Sequence, residues 1–397
     1  MNDIGKPLGM GCLRLPLFDE KEPGMIDMEM AKKNIDIFMA NGYKYFDTSY
    51  VYHKGNSEKA LGELLVDRYP RESFLISTKM PIKWMSKPEQ METQFSEQLD
   101  RLHLEFLDYY LIHMMERVTY DRCEKWGAFE FLKKKRAEGK FREFGFSVHD
   151  TPEYLDEVLT KHPEADFVML QINYVDWENK SIRAKESYEI ALKHNKPIIV
   201  MEPCKGGTLA VLPEKAEALM KAYDPDASIA SWAYRFAGTL PGVRIVLAGM
   251  PATEFLEDNI KTFNNLKPLN KEELRIIDQV IEIINENTVI PCTACRYCEE
   301  NGCPKNIPIS DYLGLVNDFK RYENSSNAGN INRVNVQADY YESWLTNGAG
   351  AAGSCIKCKK CEQVCPQHLP IVDHLAEYVV PLIENWVLHR EPSGGSN

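Results

Sequence analysis

The sequence lacks long apolar runs, and it has fewer basic residues than acidic ones. No apolar stretch approaches the ~20 residues that a membrane-spanning helix needs. The start, MNDIGKPLGMGCLRLP, lacks the basic segment and hydrophobic stretch of a leader peptide. Acidic residues outnumber basic ones by 59 to 47, so long-range repulsion disfavours nucleic acid or an anionic membrane as the main partner. We therefore expect a cytoplasmic protein that binds neither.

Cysteine is scarce over most of the chain and concentrated at its end. Only Cys12, Cys123 and Cys204 precede residue 292, whereas the other eight of the eleven cysteines follow it. A disulfide scaffold would distribute its cysteines more evenly, so this distribution indicates a local metal site in a reducing compartment.

Short runs rich in β-branched and aromatic residues alternate with segments of helical period as far as about residue 285. Strands that are apolar throughout and separated by helices indicate a parallel sheet covered on both faces, and eight of them favour a closed (β/α)8 (TIM) barrel. An open doubly wound sheet is the rival, although no G-x-G-x-x-G turn follows the first strand. The predicted strands are GMGCLRL, YKYFDTS, FLISTKM, DYYLIHM, EFGFSV, FVMLQINY, PIIVMEP and VRIVLAG.

The composition changes abruptly after the segment KEELRIIDQVIEIINEN, where cysteine, proline and polar residues begin. A length of 397 residues suits one large domain and one small one. We predict a barrel domain over 1–285 and a mainly α-helical ferredoxin-like domain over 286–397.

The cysteines of the second domain form two runs with iron–sulfur spacing. The second run has the C-x2-C-x2-C-x3-C-P spacing of bacterial two-cluster ferredoxins, in which the fourth cysteine ligates the other cluster. The first run departs from it, because four residues separate Cys298 from Cys303. Structural zinc and disulfides are the alternatives, but zinc prefers separate cysteine pairs. The predicted ligands are Cys292, Cys295, Cys298 and Cys365 for one 4Fe-4S cluster, and Cys355, Cys358, Cys361 and Cys303 for the other.

Four polar side chains lie where successive strands end, which is the face of a (β/α)8 barrel that carries the chemistry. Asp47 and Tyr52 follow the second strand, Lys79 ends the third and His113 ends the fourth. Each residue alone is more often structural: an aspartate caps a helix, a tyrosine packs, and a lysine reaches solvent. Their joint order favours a catalytic group.

Residues 8 to about 265 resemble the aldo-keto reductase family in the stretches LGMGCLRLP, YFDTSYVYHKGNSEKALG, LISTKM, LDYYLIHM, FREFGFSVHD, LQINY and LAGMPATEFLEDNI. The family tetrad consists of an aspartate, a tyrosine five residues later, and a lysine and a histidine on strands. The resemblance implies that Asp47, Tyr52, Lys79 and His113 are catalytic and that the substrate is a small carbonyl compound or alcohol.

The chemistry of these side chains suggests a role for each. A free tyrosine has a pKa near ~10, so Lys79 is expected to stabilise the Tyr52 phenolate, and Asp47 to keep Lys79 charged. His113 is expected to orient the substrate carbonyl while Tyr52 protonates it.

The resemblance also implies nucleotide contacts, with two departures from the family. Met201, Glu202 and Pro203 stand where many relatives place an aromatic ring under the nicotinamide, and Phe255 lies where basic residues usually grip a 2′-phosphate. We therefore expect NADPH or NADH without a fixed preference. The implied nicotinamide contacts are Ser147, Gln171 and Asn173, and the implied adenosine contacts are Gly249, Met250, Asp258 and Asn259.

The fusion predicts an NAD(P)H-dependent oxidoreductase that exchanges electrons with a one-electron partner such as a ferredoxin or flavoprotein. Hydride carries two electrons together, whereas clusters carry them singly. A second hypothesis is a ferredoxin-fed reductase or electron carrier whose barrel no longer uses nicotinamide. In a third hypothesis, the clusters have a structural role or act as a redox sensor.

Overall fold

The eight predicted strands form a closed parallel barrel in the computed structural model, and β1 pairs with β8 to complete it. The structure describes residues 5–18, 24–179, 182–287, 289–292, 297–300, 303–323, 341–342, 344–345, 348–365, 367, 369–385 and 387. The predicted (β/α)8 architecture is therefore confirmed, and the open sheet is excluded. The strands are β1 Leu8–Gly11, β2 Tyr45–Asp47, β3 Leu75–Met80, β4 Leu107–Met115, β5 Phe141–Val148, β6 Phe167–Gln171, β7 Ile198–Met201 and β8 Val243–Ala248.

Side chains pointing into the barrel fill it with a small apolar core that includes Tyr45, Tyr109 and Phe167. The opposite faces of the strands pack against the helices in a second, larger core. Both faces of each strand are buried, which explains why the strands are continuous apolar runs in the sequence. Gly145 allows β5 to approach β6, because a Cβ there would lie 2.3 Å from the carbonyl oxygen of Phe167.

Three of the barrel helices begin at polar residues whose side chains accept a hydrogen bond from an N–H group of the first turn. Asp27 accepts from the Met30 N–H at 3.0 Å, and Thr151 and Ser228 cap later helices in the same way. The first ten helices are α1 Met28–Ala40, α2 Asn56–Leu61, α3 Gln90–Arg101, α4 Arg117–Trp126, α5 Ala128–Ala137, α6 Pro152–Lys161, α7 Ala184–Lys193, α8 Glu214–Tyr223, α9 Ile229–Gly238 and α10 Thr253–Asn264.

The chain divides into two compact units. One consists of Met1–Ala210 and Ala227–Lys271 and contains the barrel, and the other consists of Val211–Asp226 and Glu272–Asn397. The helix α11, Lys271–Asn287, falls almost wholly in the second unit, although the sequence pattern assigned it to the barrel domain. The boundary at residue 285 stays a prediction. In the described part of the chain, no helix has the length and apolar character needed to cross a bilayer.

The second unit is mainly helical around its own apolar core, in which Tyr312, Val316, Leu375 and Val379 are buried. Tyr312 stacks near Tyr341 with ring centroids 4.5 Å apart. The segment VQADYYESWLTNG, whose pattern predicts a helix over 336–348, lies largely outside the described residues. The helices are α12 Tyr297–Glu300, α13 Ile309–Glu323, α14 Lys360–Gln363 and α15 Ile371–His374, and α15 continues as a π-helical segment, Leu375–Glu384.

Candidate active site and cysteine cavity

The barrel brings the four predicted catalytic side chains together at the carboxyl ends of three neighbouring strands. Asp47 is the last residue of β2, and Tyr52 opens the short 3-10 turn that follows it. Lys79 lies near the end of β3, and His113 lies near the end of β4. Asp47, Lys79 and His113 are buried, and Tyr52 is partly buried.

Asp47 and Lys79 form an ion pair that is almost completely buried. The Lys79 ammonium lies 2.5 Å from Asp47 Oδ1. The side chain of Lys79 is 1% exposed, and that of Asp47 is 3% exposed. Lys79 Nζ also donates to the carbonyl oxygen of Thr48 at 2.7 Å, and Ser77 Oγ donates to Asp47 Oδ2 at 2.6 Å. Burial opposes the ammonium, but Asp47 and Tyr52 outweigh it, so the pKa of Lys79 is raised from its ordinary value of 10.5. Lys79 is therefore charged at neutral pH.

Tyr52 lies directly beside this ammonium, with Lys79 Nζ 4.6 Å from the centre of its ring. Burial raises the pKa of Tyr52 above 10.0, Lys79 works in the opposite direction, and Asp47 and Glu202 add to the rise. Lys79 therefore acts in the expected direction and stabilises the phenolate, but desolvation of the phenolate is the larger effect, so the net pKa of Tyr52 is raised. Tyr52 is thus protonated at neutral pH, the state required of a proton donor.

His113 stands across the site from Tyr52, with ring centroids 5.8 Å apart and the ring planes nearly perpendicular. Its Nδ1 lies 3.1 Å from Ser49 Oγ, and Trp84 packs against its ring at 5.2 Å. Burial, with Lys79 nearby, holds the pKa of His113 well below 6.5. His113 is therefore neutral over the physiological range.

His149 is a second neutral imidazole in this region. Its backbone N–H donates to the Met115 carbonyl oxygen at 3.1 Å, and burial together with Lys83 lowers its pKa to about 4. Lys83 is itself paired with Glu116 at 3.0 Å. His149 is thus a partly enclosed residue rather than a loop side chain facing water.

Two of the three residues predicted to contact nicotinamide, Gln171 and Asn173, are held near the end of β6 by one buried carboxylate. Asp176 Oδ2 accepts from Gln171 Nε2 and from Asn173 Nδ2, both at 2.7 Å. Asn173 also donates to the Glu202 carbonyl oxygen at 3.2 Å and accepts from the Asp176 N–H at 2.9 Å. Ser147 Oγ accepts from the Met114 N–H at 2.9 Å. The polar atoms of Asn173 are thus used within the protein.

The loop after β7 adds charged residues to the same area. Lys205 Nζ lies 2.6 Å from Asp176 Oδ1, forming an ion pair in which the aspartate is 1% exposed. Glu202, the residue in the aromatic position, has a left-handed backbone with φ 55°. Glu202 is one of the groups that raise the pKa of Tyr52. The Glu202 carboxylate is therefore near enough to oppose ionisation of Tyr52.

The four residues predicted to contact adenosine follow β8 but do not share one cluster. Gly249 packs under Arg14, since a Cβ there would lie 2.7 Å from Arg14 Cδ. The Met250 carbonyl oxygen accepts from Asn34 Nδ2 at 3.3 Å. On α10, Asp258 Oδ2 accepts from Ser228 Oγ at 2.5 Å, and Asn259 Nδ2 donates to the Tyr234 hydroxyl at 3.4 Å.

In the second unit, four of the predicted cluster ligands line a single cavity. Its wall combines thiols with apolar side chains such as Ile307, Val372 and Leu375. Backbone from two distant parts of the chain meets here, because Cys303 is separated from the second run by some fifty residues. The four cysteines are Cys303, Cys355, Cys358 and Cys361.

Three of the other predicted ligands lie in or against the apolar core of this unit. Cys298 on α12 and Cys365 after α14 are buried in that core, and Cys292 packs against it. The helices α12 and α14 are in contact. Cys295 lies outside the described residues. The ten described cysteines are all free thiols, so the disulfide alternative finds no support among them.

Comparison with known proteins finds a matching family model for each of the two parts of the chain. Residues 7–282 match the aldo/keto reductase family model, and residues 291–370 match the model of the 4Fe-4S dicluster domain. The chain belongs to the aldo/keto reductase family. The predicted fusion of a barrel with a two-cluster iron–sulfur domain is confirmed, and zinc is thereby disfavoured.

The individual relatives match only part of the chain. Glyoxal reductase of Bacillus subtilis is 31% identical over 138 residues, which is 33% of this chain and 46% of that protein. Glycerol 2-dehydrogenase (NADP(+)) of Saccharomyces cerevisiae is 29% identical over 89 residues, 22% of this chain and 27% of that protein. The chain thus spans less than half the length of these curated relatives.

Solved structures of low sequence identity share the fold. The holo form of an aldo-keto reductase from Bacillus halodurans superposes with a TM-score of 0.56 and 20% identity, covering 69% of this chain and 91% of that one. An aldo-keto reductase from Klebsiella pneumoniae in complex with NADPH superposes with a TM-score of 0.54 and 20% identity. The match covers 69% of this chain and 90% of that one.

Sequence reasoning missed several residues that organise the site. Ser77 could have been found, because it lies two residues before Lys79 on the same strand and therefore on the same face. Ser49 follows Asp47 in a polar run but had no separate signal. The Asp176–Lys205 pair joins residues 29 positions apart, which no local pattern reveals.

Proposed function

We propose that the protein reduces a small carbonyl compound with NADH or NADPH, or oxidises the corresponding alcohol, and that its iron–sulfur domain exchanges electrons with a one-electron carrier. The observation that carries the first part is the protonated Tyr52 beside the buried Asp47–Lys79 pair. The two-cluster domain in the same chain supports the second part.

Each side chain of the tetrad has a separate task in this reaction. When bound, reduced nicotinamide supplies a hydride and a 4Fe-4S cluster passes single electrons. Tyr52 gives its proton to the carbonyl oxygen, and the Lys79 ammonium stabilises the phenolate left behind until solvent reprotonates it. With Ser49 Oγ, 3.1 Å away, as the donor to His113 Nδ1, the neutral ring carries its proton on Nε2, where it can bind and orient the carbonyl oxygen.

The polar groups at the ends of β5 and β6 suit a carboxamide. Ser147 Oγ accepts from Met114, so its own proton can be donated. Gln171 uses its amino group on Asp176, which leaves Oε1 to accept. One donor and one acceptor are what the oxygen and the amino group of a carboxamide require. We assign Ser147 and Gln171 to nicotinamide, and assign Asn173 to positioning the loop between β6 and β7.

The test is an anaerobic assay of carbonyl-dependent oxidation of NADH and of NADPH as a function of pH. Because the pKa of His113 is well below 6.5 and that of Tyr52 is above 10.0, we expect a level rate between about pH 7 and about pH 9. The rate should fall above about pH 10, where Tyr52 loses the proton it must donate. A bell-shaped profile centred near neutrality would contradict this assignment of protonation states.

A second candidate function keeps the iron–sulfur domain but does without nicotinamide. The observation that favours it is Glu202, a carboxylate near Tyr52 in the position of the stacking ring. In this case the barrel reduces its substrate with electrons from a carrier protein alone. Equilibrium titration with each nucleotide separates the two, since tight binding of either one favours the first candidate.

The cavity supports one assignment of ligands to the clusters. Cys303, Cys355, Cys358 and Cys361 line one space and have the thiolate chemistry that a cubane requires, so we assign them to one cluster. The remaining four, Cys292, Cys295, Cys298 and Cys365, are assigned to the other.

Replacing Cys303 with serine is expected to remove one cluster and leave the other. Anaerobically purified Cys303→Ser should contain about half the iron and acid-labile sulfide of the unaltered protein, because each 4Fe-4S cluster needs all its thiolates. Cys204→Ser is the matched control, since Cys204 lies in the barrel outside both runs, and it should keep the full iron content. Full iron content in Cys303→Ser would exclude it as a ligand.

A further inference from the structure

Three lysines line the cysteine cavity, and a fourth, Lys357, lies next to Cys358 in the chain. Lys357, Lys359 and Lys360 belong to the segment Cys355–Cys361, and Lys305 reaches the same cavity from the first run. All four side chains are exposed. The formal charge of the whole chain is -12, so a basic surface here runs against its overall balance. Residues 305, 356, 357, 359 and 360 are called the lysine loop below.

Carboxylates do little to neutralise the lysine loop. The segment from Cys355 to Cys365 has three lysines and one glutamate, Glu362. Glu362 Oε1 already accepts from the Val372 N–H at 2.9 Å, and its other oxygen lies 3.6 Å from Lys359. The first cysteine run has the opposite balance, with one arginine and two glutamates between Cys292 and Cys303. The positive charge is thus specific to one of the two cluster sites.

Two of these lysines occupy positions where glycine or asparagine would be easier. Lys357 and Lys359 have left-handed backbones, with φ 56° and 59°. This conformation is unfavourable for a residue with a Cβ, and glycine avoids that cost. The turns let the segment direct its cysteines to one cavity, but they do not require lysine. Lysine at both positions therefore indicates a use for the charge.

The centre of the lysine loop has the features of an electron-transfer contact. Cys358, which lines the cavity, is itself exposed. Beside it Ile356 is 55% exposed, an apolar side chain of the kind that is buried when two proteins dock. Exposed lysines next to a small exposed apolar side chain are complementary to an acidic protein surface.

We infer that the lysine loop is the docking surface for a small acidic one-electron carrier protein. The inference rests on the proposed electron exchange and adds the surface and the charge of the partner. Opposite charge accelerates encounter, and short-range contact with Ile356 places the carrier beside Cys358. Each docked carrier gives up one electron and is itself oxidised. Two encounters and two protons reduce one carbonyl group to an alcohol.

The test uses the full holoprotein and an acidic bacterial two-cluster ferredoxin as the probe. Association rates and Kd are measured by biolayer interferometry over a range of NaCl concentrations. The variant Lys357→Glu/Lys359→Glu/Lys360→Glu should lose at least about tenfold in association rate at low salt, and the steep salt dependence should flatten. Iron content and visible absorption should stay unchanged, because no cysteine is altered. Glutamine at the three positions should give a smaller loss of the same kind.

The matched control is Lys33→Glu/Lys134→Glu/Lys267→Glu, which changes the net charge equally at exposed sites in the barrel unit. It should bind ferredoxin within about twofold of the unaltered protein, since screening confines the attraction to the local surface. An equal loss in the control would overturn the inference, as would absence of ferredoxin binding by the unaltered protein. Binding that depends on the lysine loop but is confined to phosphatidylserine vesicles or to DNA would also overturn it.

These results are separable from the proposed carbonyl reduction. Reduction by NADH or NADPH uses the barrel site, so it should continue at full rate in the triple glutamate variant. Loss of ferredoxin binding with intact nucleotide-driven reduction removes only the electron exchange. Intact ferredoxin binding without nucleotide-driven reduction instead favours the second candidate function and leaves the docking surface in place.

Discussion

Lys79→Met is expected to lower the rate of carbonyl reduction by about 10²–10³-fold and to destabilise the barrel by about 3–5 kcal/mol. The rate falls because the ammonium 4.6 Å from the Tyr52 ring no longer stabilises developing phenolate. The stability falls because Asp47, 3% exposed, is left as a buried charge without its partner. Anaerobic steady-state kinetics and urea unfolding followed by circular dichroism measure the two effects.

The double variant Asp47→Asn/Lys79→Met separates the two effects. It removes both charges, and the side-chain oxygen of the introduced asparagine can still accept the hydrogen bond that Ser77 now donates to Asp47. Most of the lost stability should return, because the desolvation penalty of an unpaired carboxylate disappears. Activity should stay low. Recovery of activity together with stability would show that the pair acts only by holding the barrel together.

The architecture was predictable because its signal is local and repeated. Each strand is a short apolar run, and burial on both faces leaves that run without polar interruptions. The tetrad was predictable for a related reason. A parallel barrel brings all strand ends to one rim, so Asp47, Lys79 and His113 had to lie on the same face once the strands were placed.

What could not be predicted depends on burial and on contacts between distant segments. The pKa of Tyr52 reflects a balance between desolvation and the nearby Lys79 charge, and only coordinates give the depth of burial that decides it. The hydrogen bonds of Gln171 and Asn173 to Asp176 likewise depend on a loop whose path the sequence does not specify. The cysteine spacing identified the clusters, whereas the meeting of Cys303 with the second run required the fold.

Tyr52→Phe is expected to lower carbonyl reduction by about 10²–10⁴-fold, because it removes only the proton that the carbonyl oxygen must receive. Ring packing beside Lys79 and His113 is retained, so nucleotide affinity and unfolding midpoint should change little. The residual rate should also lose the fall above about pH 10, since the group responsible for it is gone. Pre-steady-state measurement of nucleotide oxidation gives the rate without interference from product release.

Tyr50→Phe is the matched control for the same chemical change two residues away. The Tyr50 hydroxyl donates to Glu97 at 3.0 Å, and Arg101 lies 4.1 Å from the centre of its ring, so it belongs to a surface ion-pair network and not to the strand-end cluster. Its loss should change the rate less than about twofold and the stability by no more than about 0.5 kcal/mol. If Tyr50→Phe abolished reduction while Tyr52→Phe preserved it, the proton donor would have to be reassigned, and the Asp47–Lys79 pair would have no catalytic partner. The 3-10 turn at Tyr52 directs that side chain toward Lys79, and this geometry is the reason to expect the opposite result.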